Sequence, residues 1–302
     1  MIRILVTGAT GFIGSNCLPI LLARGNYEVH AVSSRPVTES REGIYWHQAD
    51  LLDRLTVSKL IEEVRPSHLL HFAWYVVPNE YWTSGVNLRW VQASLSLLLE
   101  FAKCGGRRVV MAGTCAEYDW EPGFCAESYT PTRPVTLYGV CKKSLCDMLL
   151  KFCDETKLSA AWGRIFYPYG PYERQTRLVP SVINCLLRKE RVRCSHGNQV
   201  RDFLHVKDVA DAFVTVMESE AYGPVNIASG IPVTINQVVE FLAKSLGGQE
   251  LVEFGSVTVS ENEPSLLLAD VRRLSEQIGW SPQYDLEKGL TQTIRWWEER
   301  LC

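Results

Sequence analysis

A tyrosine and a lysine four residues apart are the side chains in this sequence best suited to moving a proton. Tyr138 and Lys142 share one face of a helix predicted over residues 137–156, because residues four apart are neighbours on a helix. An ammonium near a phenol lowers the pKa of the phenol, and the hydroxyl of Thr114, just after the preceding predicted strand, can hydrogen-bond the same substrate oxygen. The three residues predict general acid–base catalysis. A half-buried tyrosine beside a solvated lysine is an equally open alternative.

A glycine-rich loop joins the first predicted strand, residues 3–7, to a helix predicted over 12–24. Its glycines follow the spacing G-x-x-G-x-x-G. Backbone N–H groups in such a loop close on an anion, and the helix N-terminus adds a partial positive charge. A tight turn without a ligand is the alternative, and Pro19 should kink or shorten the helix. We expect the pyrophosphate of a dinucleotide here, bound by Gly8, Thr10, Gly11, Phe12, Ile13 and Gly14.

Strand-like and helix-like segments alternate through the first 165 residues. This alternation predicts an α/β fold with a doubly wound parallel (Rossmann) sheet and helices on both faces. Ligands in such folds bind outside the carboxyl ends of the strands, so we expect the site there. The predicted strands are 3–7, 28–33, 44–48, 68–72, 108–112 and 159–166, and the predicted helices are 12–24, 56–64, 84–103 and 137–156.

The end of the second predicted strand bears on the choice of cofactor. An NAD-selective site usually has an acidic residue here, which accepts from the ribose 2′-hydroxyl. This sequence has Ser33, Ser34 and Arg35, whose hydroxyls and guanidinium suit a 2′-phosphate. We therefore expect NADP(H) in preference to NAD(H), with a polar turn and a surface arginine as the alternative. Other cofactor contacts are expected after the third and fourth strands, at Asp50, Leu51, Phe72, Ala73 and Trp74.

The composition argues against several classes of function. The 302 residues carry a net charge of −3 and no long run of Lys or Arg, so we expect no nucleic-acid partner. No apolar stretch approaches the ~18 residues of a membrane span, and the first strand begins at once, so we expect neither a membrane segment nor a signal peptide. The ten cysteines form no C-x-x-C pair and no Cys/His cluster with zinc spacing. We expect a reducing cytoplasm, no metal and no disulfide framework.

The glycine loop, Thr114, Tyr138 and Lys142 together resemble the extended short-chain dehydrogenase/reductase family. Its best-known members are NAD(P)-dependent sugar-nucleotide epimerases, dehydratases and ketoreductases. The resemblance spans essentially the whole chain, in order and at family spacing. It continues in Arg164–Pro171, Leu178–Pro180, Arg201–Ala210, Val225–Gly230 and Gly279–Pro282.

The resemblance implies a role for each candidate catalytic residue. Tyr138 is expected to be the general acid/base, and Lys142 to lower the pKa of Tyr138 and bind the nicotinamide ribose. Thr114 is expected to orient the substrate oxygen. Tyr167 is assigned to the cofactor site, although epimerases generally have Asn in this place.

The resemblance also implies that the substrate is a nucleotide-sugar. Arg201 would hold its pyrophosphate, a task that suits a guanidinium fork. Arg174 and Arg177 would assist, with simple solvation as the alternative, and Val179 is assigned to the same substrate site. Asn87 is expected to line the nicotinamide side of the site, or else to be only an N-terminal helix residue.

Departures from the family patterns narrow the reaction. The 4,6-dehydratases carry an acid–base pair where this chain has Cys115 and Ala116, neither of which can replace a carboxylate. Bifunctional 3,5-epimerase/reductases use a later His, and the loop 170–180 has none. The 4-epimerases, which retain NAD, usually show an acidic residue after the second strand, where this chain has Ser33, Ser34 and Arg35.

A ketoreductase remains. We expect NADPH-dependent reduction of a nucleotide-linked 4-keto-6-deoxysugar, as in deoxysugar biosynthesis. The leading alternative is an NAD-dependent sugar-nucleotide 4-epimerase. An NADP(H)-binding regulatory protein without turnover is disfavoured, because Thr114, Tyr138, Lys142 and Arg201 are all present.

The strict alternation fades after about residue 168. We predict a dinucleotide-binding domain over 1–168 and a smaller C-terminal substrate-binding lobe over 169–302, with segments that return to the first domain. The helices predicted at 84–103 and 137–156 carry more apolar residues than one sheet face needs. Family members commonly pair these helices in a two-fold dimer, so we expect a homodimer. The residues concerned are Leu95, Leu98, Leu99, Leu145, Met148 and Leu149.

Overall fold

The computed structural model describes residues 1–37, 42–259 and 263–301, without the side chain of the last. The strands are β1 (Ile2–Thr7), β2 (Tyr27–Ser33), β3 (Ile44–Gln48), β4 (His68–His71), β5 (Arg108–Thr114), β6 (Phe124–Cys125), β7 (Ser159–Ile165), β8 (Tyr167–Tyr169), β9 (Val192–Arg193), β10 (Val200–His205), β11 (Gly223–Ile227), β12 (Pro232–Thr234), β13 (Val252–Glu253) and β14 (Leu266–Ala269). The α-helices are α1 (Gly14–Arg24), α2 (Arg54–Val64), α3 (Val86–Lys103), α4 (Leu137–Asp154), α5 (Leu178–Leu187), α6 (Val206–Glu218), α7 (Ile235–Leu246) and α8 (Leu286–Leu301).

Seven strands form one parallel sheet, in the order β11-β7-β5-β4-β1-β2-β3. The chain starts in the middle at β1, moves outward to β3, crosses to β4 and continues outward through β5 and β7. This is the doubly wound α/β (Rossmann) arrangement that the sequence predicted. The strand order reverses between β1 and β4, and the carboxyl ends of these two strands are where such a fold binds its ligand.

Helices cover both faces of this sheet, which explains the continuous apolar runs of its strands. Successive side chains of a strand point to opposite faces. Ile4 and Val6 pack in one core with residues of α1 and α6, such as Phe213. Leu5 packs in a second core with residues of α2, α3 and α4, such as Leu145. Since α6 and β11 belong to the later part of the chain, residues beyond 168 complete the first sheet.

The rest of the later chain forms a smaller unit. Strands β12, β10, β14 and β6 form a mixed sheet, and β8 pairs with β10. Helices α5, α7 and α8 enclose a separate hydrophobic core that includes Ile183, Leu242 and Trp297. Strand β6 comes from the earlier half, so each half of the chain contributes a segment to the other. None of the helices in the described ranges is both long and apolar enough to cross a membrane.

Helix α1 differs in one respect from the expectation. Pro19 lies inside it, yet the helix continues to Arg24, where Gly25 ends it with a φ of +72°. Pro19 is exposed on the outer face, so the carbonyl that loses a partner lies on the solvent side of the helix. The proline therefore does not shorten the helix.

Candidate active site

The loop after β1 is so tightly closed that two of its glycines cannot carry a side chain. Gly8 has a φ of +66°, and a Cβ there would lie 2.7 Å from the backbone nitrogen of Ala73. A Cβ on Gly14 would collide with the carbonyl oxygen of Gly8. Helix α1 then begins with no side-chain cap and no acidic residue in its first turn. The close backbone approach and the uncapped helix start fit the pyrophosphate of a dinucleotide.

The other predicted contacts of this loop surround the start of α1. Thr10 and Gly11 are exposed, while Phe12 and Ile13 are half-buried. Asn16 donates through its side chain to the carbonyl of Phe12 at 2.8 Å, which fixes the start of the helix. Exposed backbone thus lies at the position where the sequence predicted an anion.

A buried histidine beneath the loop was not recognised from the sequence. One ring nitrogen of His71, at the end of β4, lies 2.7 Å from the hydroxyl oxygen of Thr7 at the end of β1. The other ring nitrogen lies 2.9 Å from the hydroxyl oxygen of Ser94 on α3. Burial lowers the pKa of His71 to about 3, with a smaller contribution from Lys142. The neutral ring therefore joins the two strand ends that frame the ligand-binding edge.

Thr114 closes β5 and is held by a carboxylate that the sequence analysis did not single out as functional. Its backbone N–H donates to Glu117 at 2.8 Å, and its hydroxyl caps the short turn that follows. Glu117 is fully buried and also accepts from the indole of Trp162 at 2.8 Å and from Arg164 at 2.9 Å. The sequence does carry a signal for this contact, since Thr114 and Glu117 have the T-x-x-E spacing of a capping box.

Tyr138 enters the site at the first turn of α4. Thr136 caps this helix, and the backbone N–H of Tyr138 donates to the carbonyl of Trp82 at 3.1 Å. The rings of Tyr81 and Trp82 meet Tyr138 edge-on, at centroid distances of 4.9 and 5.8 Å. Burial raises the pKa of Tyr138 above its ordinary value, although the nearby side chain of Thr114 opposes the shift.

Lys142 lies one turn further along α4 and is buried, not solvated. Its Nζ donates to the carbonyl of Ala112 at 2.7 Å and lies 3.8 Å from the ring centroid of Trp74. Burial lowers the pKa of Lys142 to about 7, and Glu117 opposes this shift. The sequence predicted that Lys142 would lower the pKa of Tyr138. Burial is the largest influence on the pKa of Tyr138 and raises it, and the lowering contribution of Lys142 stays a prediction.

The residues predicted to select the cofactor lie at the ends of β2 and β3. Ser33 is buried and accepts from the backbone N–H of Arg35 at 3.2 Å, while Ser34 and Arg35 are exposed. Asp50 is exposed and Leu51 is buried just after β3. Phe72 and Ala73 pack against Gly8 beside Trp74.

The predicted substrate residues differ in what they offer a ligand. Arg174 and Arg177 are exposed. Arg201 is 1% exposed and donates to Glu263 at 2.8 Å, with its guanidinium carbon 5.4 Å from the ring centroid of Tyr167. Val179 is 1% exposed and belongs to the core of α5, α7 and α8, so only its backbone can meet a ligand.

Asn87 does not line the site as predicted. Its side chain is 0% exposed, and both ends of its amide are already hydrogen-bonded. The oxygen accepts from the indole N–H of Trp74 at 2.8 Å, and the nitrogen donates to the carbonyls of Tyr81 at 2.7 Å and Ser84 at 2.8 Å. Asn87 therefore joins the loop before α3 to the end of β4.

Comparisons with known proteins agree with this geometry. The chain is 24% identical over 308 residues to CDP-abequose synthase of Salmonella typhimurium, covering 97% of each. The structure of UDP-glucose 4-epimerase of Thermotoga maritima with UDP-glucose superposes with a TM-score of 0.86, at 25% identity and 100% of both chains. The structure of MoeE5 in complex with UDP-glucuronic acid and NAD superposes with a TM-score of 0.85, at 29% identity, and the match covers 99% of both chains.

The family model described as NAD dependent epimerase/dehydratase family matches residues 4–228, most of the chain. The match includes the glycine loop, Thr114, Tyr138 and Lys142, on which the sequence-based resemblance rested. The recognition of the family from sequence is confirmed. This chain belongs to the NAD dependent epimerase/dehydratase family.

Proposed function

We propose that this protein is an NADPH-dependent ketoreductase that reduces a nucleotide-linked 4-keto-6-deoxysugar. The observation that carries the proposal is the placement of Tyr138, whose phenol is buried at the first turn of α4 against Tyr81, and burial raises its pKa so that it keeps its proton. A ketone that accepts hydride needs a proton donor at its oxygen, and a neutral phenol is one.

The chain's own residues divide the task as follows. Tyr138 gives its phenolic proton to the oxygen of the former ketone, which becomes a hydroxyl. Thr114 hydrogen-bonds the same oxygen, and Glu117 fixes the backbone of Thr114 at 2.8 Å. The ammonium of Lys142 favours the phenolate that remains on Tyr138. A reduced nicotinamide dinucleotide, when bound at the glycine loop, supplies the hydride.

The preference for NADPH rests on the end of β2. Arg35 is exposed there, next to the exposed Ser34, and no acidic residue occupies positions 33–36. A guanidinium attracts a 2′-phosphate, whereas a ribose 2′-hydroxyl is better matched by a carboxylate. The solved complex of MoeE5 contains NAD, so the proposed preference rests on Ser34 and Arg35 of this chain alone, and titration with both dinucleotides tests it.

Three arginines support a nucleotide-sugar as the substrate, and two residues after Thr114 argue against dehydration of it. Arg174, Arg177 and Arg201 supply guanidinium groups for a pyrophosphate, and the relatives are named for CDP- and UDP-linked sugars. Cys115 and Ala116 are buried and offer no acid–base pair for dehydration.

Nine cysteines among the described residues are free, which supports a reducing compartment such as the cytoplasm.

A sugar-nucleotide 4-epimerase is the second candidate, favoured by the full-length similarity to the Thermotoga maritima enzyme. An epimerase returns its hydride to the sugar, whereas a reductase consumes one NADPH for each product. A regulatory protein would bind the dinucleotide without turnover.

One experiment separates the three functions. The protein is incubated with 4-deuterated NADPH and a panel of 4-keto-6-deoxy sugar nucleotides, and in parallel with 4-hydroxy sugar nucleotides, NADPH and NAD+. A reductase oxidises NADPH stoichiometrically and places deuterium on the carbinol carbon. Inversion of a 4-hydroxy sugar without net loss of NADPH would establish the epimerase. Tight dinucleotide binding without turnover of any substrate would establish the regulatory protein.

A further inference from the structure

The side chain of Trp74 covers the ammonium of Lys142. Nζ lies 3.8 Å from the centroid of the Trp74 ring and donates to the carbonyl of Ala112 at 2.7 Å. A second indole, that of Trp162, has its centroid 5.8 Å away. Lys142 is only 4% exposed, so aromatic rings take the place of water beside the charge. A desolvated cation gains more from an aromatic face than an exposed one does.

The position of Trp74 is itself fixed. Its indole N–H donates to the Asn87 side chain at 2.8 Å, and Asn87 donates to the carbonyl of Tyr81 at 2.7 Å. The ring of Tyr81 packs edge-on against Tyr138 at a centroid distance of 4.9 Å. One buried amide therefore joins the ring over Lys142 to the loop that packs against Tyr138.

Few charges near Lys142 compensate for its burial. Glu117 favours the ammonium, but this carboxylate is also paired with Arg164 at 2.9 Å. His71 is neutral, because burial and the nearby lysine lower its pKa to about 3. The neighbouring phenol and thiols have raised pKa values and carry no charge: Tyr138, Cys115 and Cys146.

We propose that Trp74 is a positioning residue, whose ring, oriented by Asn87, holds the Lys142 side chain in place and keeps it an ammonium. An ammonium has three donors. One N–H donates to the carbonyl of Ala112 and a second faces the Trp74 ring. The third N–H is available to a ligand at the dinucleotide site. The inference concerns the lysine of the proposed function, but its test requires neither cofactor nor substrate.

The test is an NMR titration of the cofactor-free protein labelled with 13C at the lysine ε-carbon. The variant Lys142→Met identifies the resonance. Trp74→Leu and Trp74→Met remove the ring, and we expect the Lys142 midpoint to fall by about one pH unit, the order of shift that a desolvated cation–π contact supports. Trp74→Phe keeps an aromatic face and should stay within about half a unit of the unmodified protein.

Trp90→Leu is the matched control, because Trp90 packs against Trp74 at 6.2 Å between ring centroids, whereas the rings over Lys142 are those of Trp74 and Trp162. It should leave the Lys142 midpoint unchanged. Circular dichroism identifies the variants that fold, and either ring-free variant alone suffices. An unchanged or raised midpoint in the ring-free variants would overturn the proposal, and so would an equal fall in Trp74→Phe or in the control. Failure to turn over any keto sugar would refute the proposed function and leave this result intact.

Discussion

At the glycine loop the shape of the site is made by backbone, whereas on the substrate side it is made by side chains that bind one another. Gly8 and Gly14 leave room only for close backbone approach. Arg201, by contrast, is buried and already paired with Glu263. The first region is shaped before a ligand arrives. If Arg201 holds the pyrophosphate as proposed, it exchanges its contact with Glu263 for ligand contacts, so we expect space to limit binding in the first region and charge exchange to limit it in the second.

The largest expected effect is at Tyr138. Replacing Tyr138 with Phe removes the proton donor while keeping the ring that packs against Tyr81. We expect turnover to fall about 10²–10⁴-fold, with dinucleotide affinity little changed. Single-turnover kinetics and dinucleotide titration measure the two quantities. A variant that retains more than about a tenth of the turnover would remove Tyr138 from the mechanism.

The space-limited region is tested by Gly14→Ala. The added methyl would meet the Gly8 carbonyl and the Cα of Ala9, both of them backbone atoms that cannot move aside cheaply. We expect dinucleotide binding to weaken by about 3 kcal/mol, or roughly 100-fold, measured by calorimetry. Gly85→Ala is the control, since a Cβ there meets nothing within 4 Å. Equal losses in both variants would refute the close-approach argument.

The choice between NADPH and NADH depends on a side chain even in the glycine-loop region, where the site is otherwise formed by backbone. That side chain is the exposed Arg35. We expect NADPH to bind more tightly than NADH by roughly 1–3 kcal/mol. Arg35→Asp should erase or reverse this preference by weakening NADPH binding. Titration with both dinucleotides measures it. Equal affinities in the unmodified protein would contradict the assignment.

The pH dependence of stability tests the histidine beneath the loop. Folded His71 stays neutral down to about pH 3, whereas the unfolded chain takes up a proton near its ordinary pKa of 6.5. The unfolded state therefore binds more protons between these values, and the free energy of unfolding should decrease as the pH falls. In His71→Gln this slope should be shallower by about 1.4 kcal/mol per pH unit between pH 6 and 4.

Urea denaturation at several pH values measures the slope. The exposed His196 offers the matched control, and His196→Gln should leave the slope unchanged. If His71→Gln kept the full slope, the histidine would not be the group that resists protonation.

Assembly is expected to have the smallest effect on activity. Leu98, Leu145 and Leu149 are used by the protein's own core, but Leu99 is 55% and Met148 39% exposed on α3 and α4. We expect these helices to pair in a homodimer, which the double variant Leu99→Glu, Met148→Glu should dissociate with little change in turnover. Light scattering at micromolar concentration measures the mass. Leu55 is an exposed apolar residue on α2, outside the proposed interface, and Leu55→Glu serves as the control. A monomeric unmodified protein would contradict the prediction.

The fold was largely predictable because its signals are local. Helix α4 was predicted over 137–156 and runs from Leu137 to Asp154, since apolar spacing and the cap at Thr136 depend on nearby residues only. The two-residue strand β6 was missed, because it is defined by pairing with β14 far along the chain. Two residues carry too little pattern to read.

The site was predictable in position but less so in chemistry. The sequence brought Thr114, Tyr138 and Lys142 together, yet it placed Asn87 in the pocket and did not predict the aromatic ring over the buried Lys142. The true surroundings of these two side chains come from Trp74, which reaches both of them from another strand end. Such partners are set by tertiary packing, and a pKa follows its partners.

The crossing of β11 and α6 into the first sheet constrains how the chain acquires its structure. Phe213 of α6 packs in the same core as Ile4 and Val6, so that core lacks one of its walls until more than two-thirds of the chain has been synthesised. A fragment ending near residue 168 would expose an apolar sheet face and leave β7 as an unpaired edge. Contacts this distant in sequence close slowly, and a nascent chain that displays such surface is one that chaperones bind. We therefore expect the first sheet to complete its packing only after α6 and β11 have been synthesised.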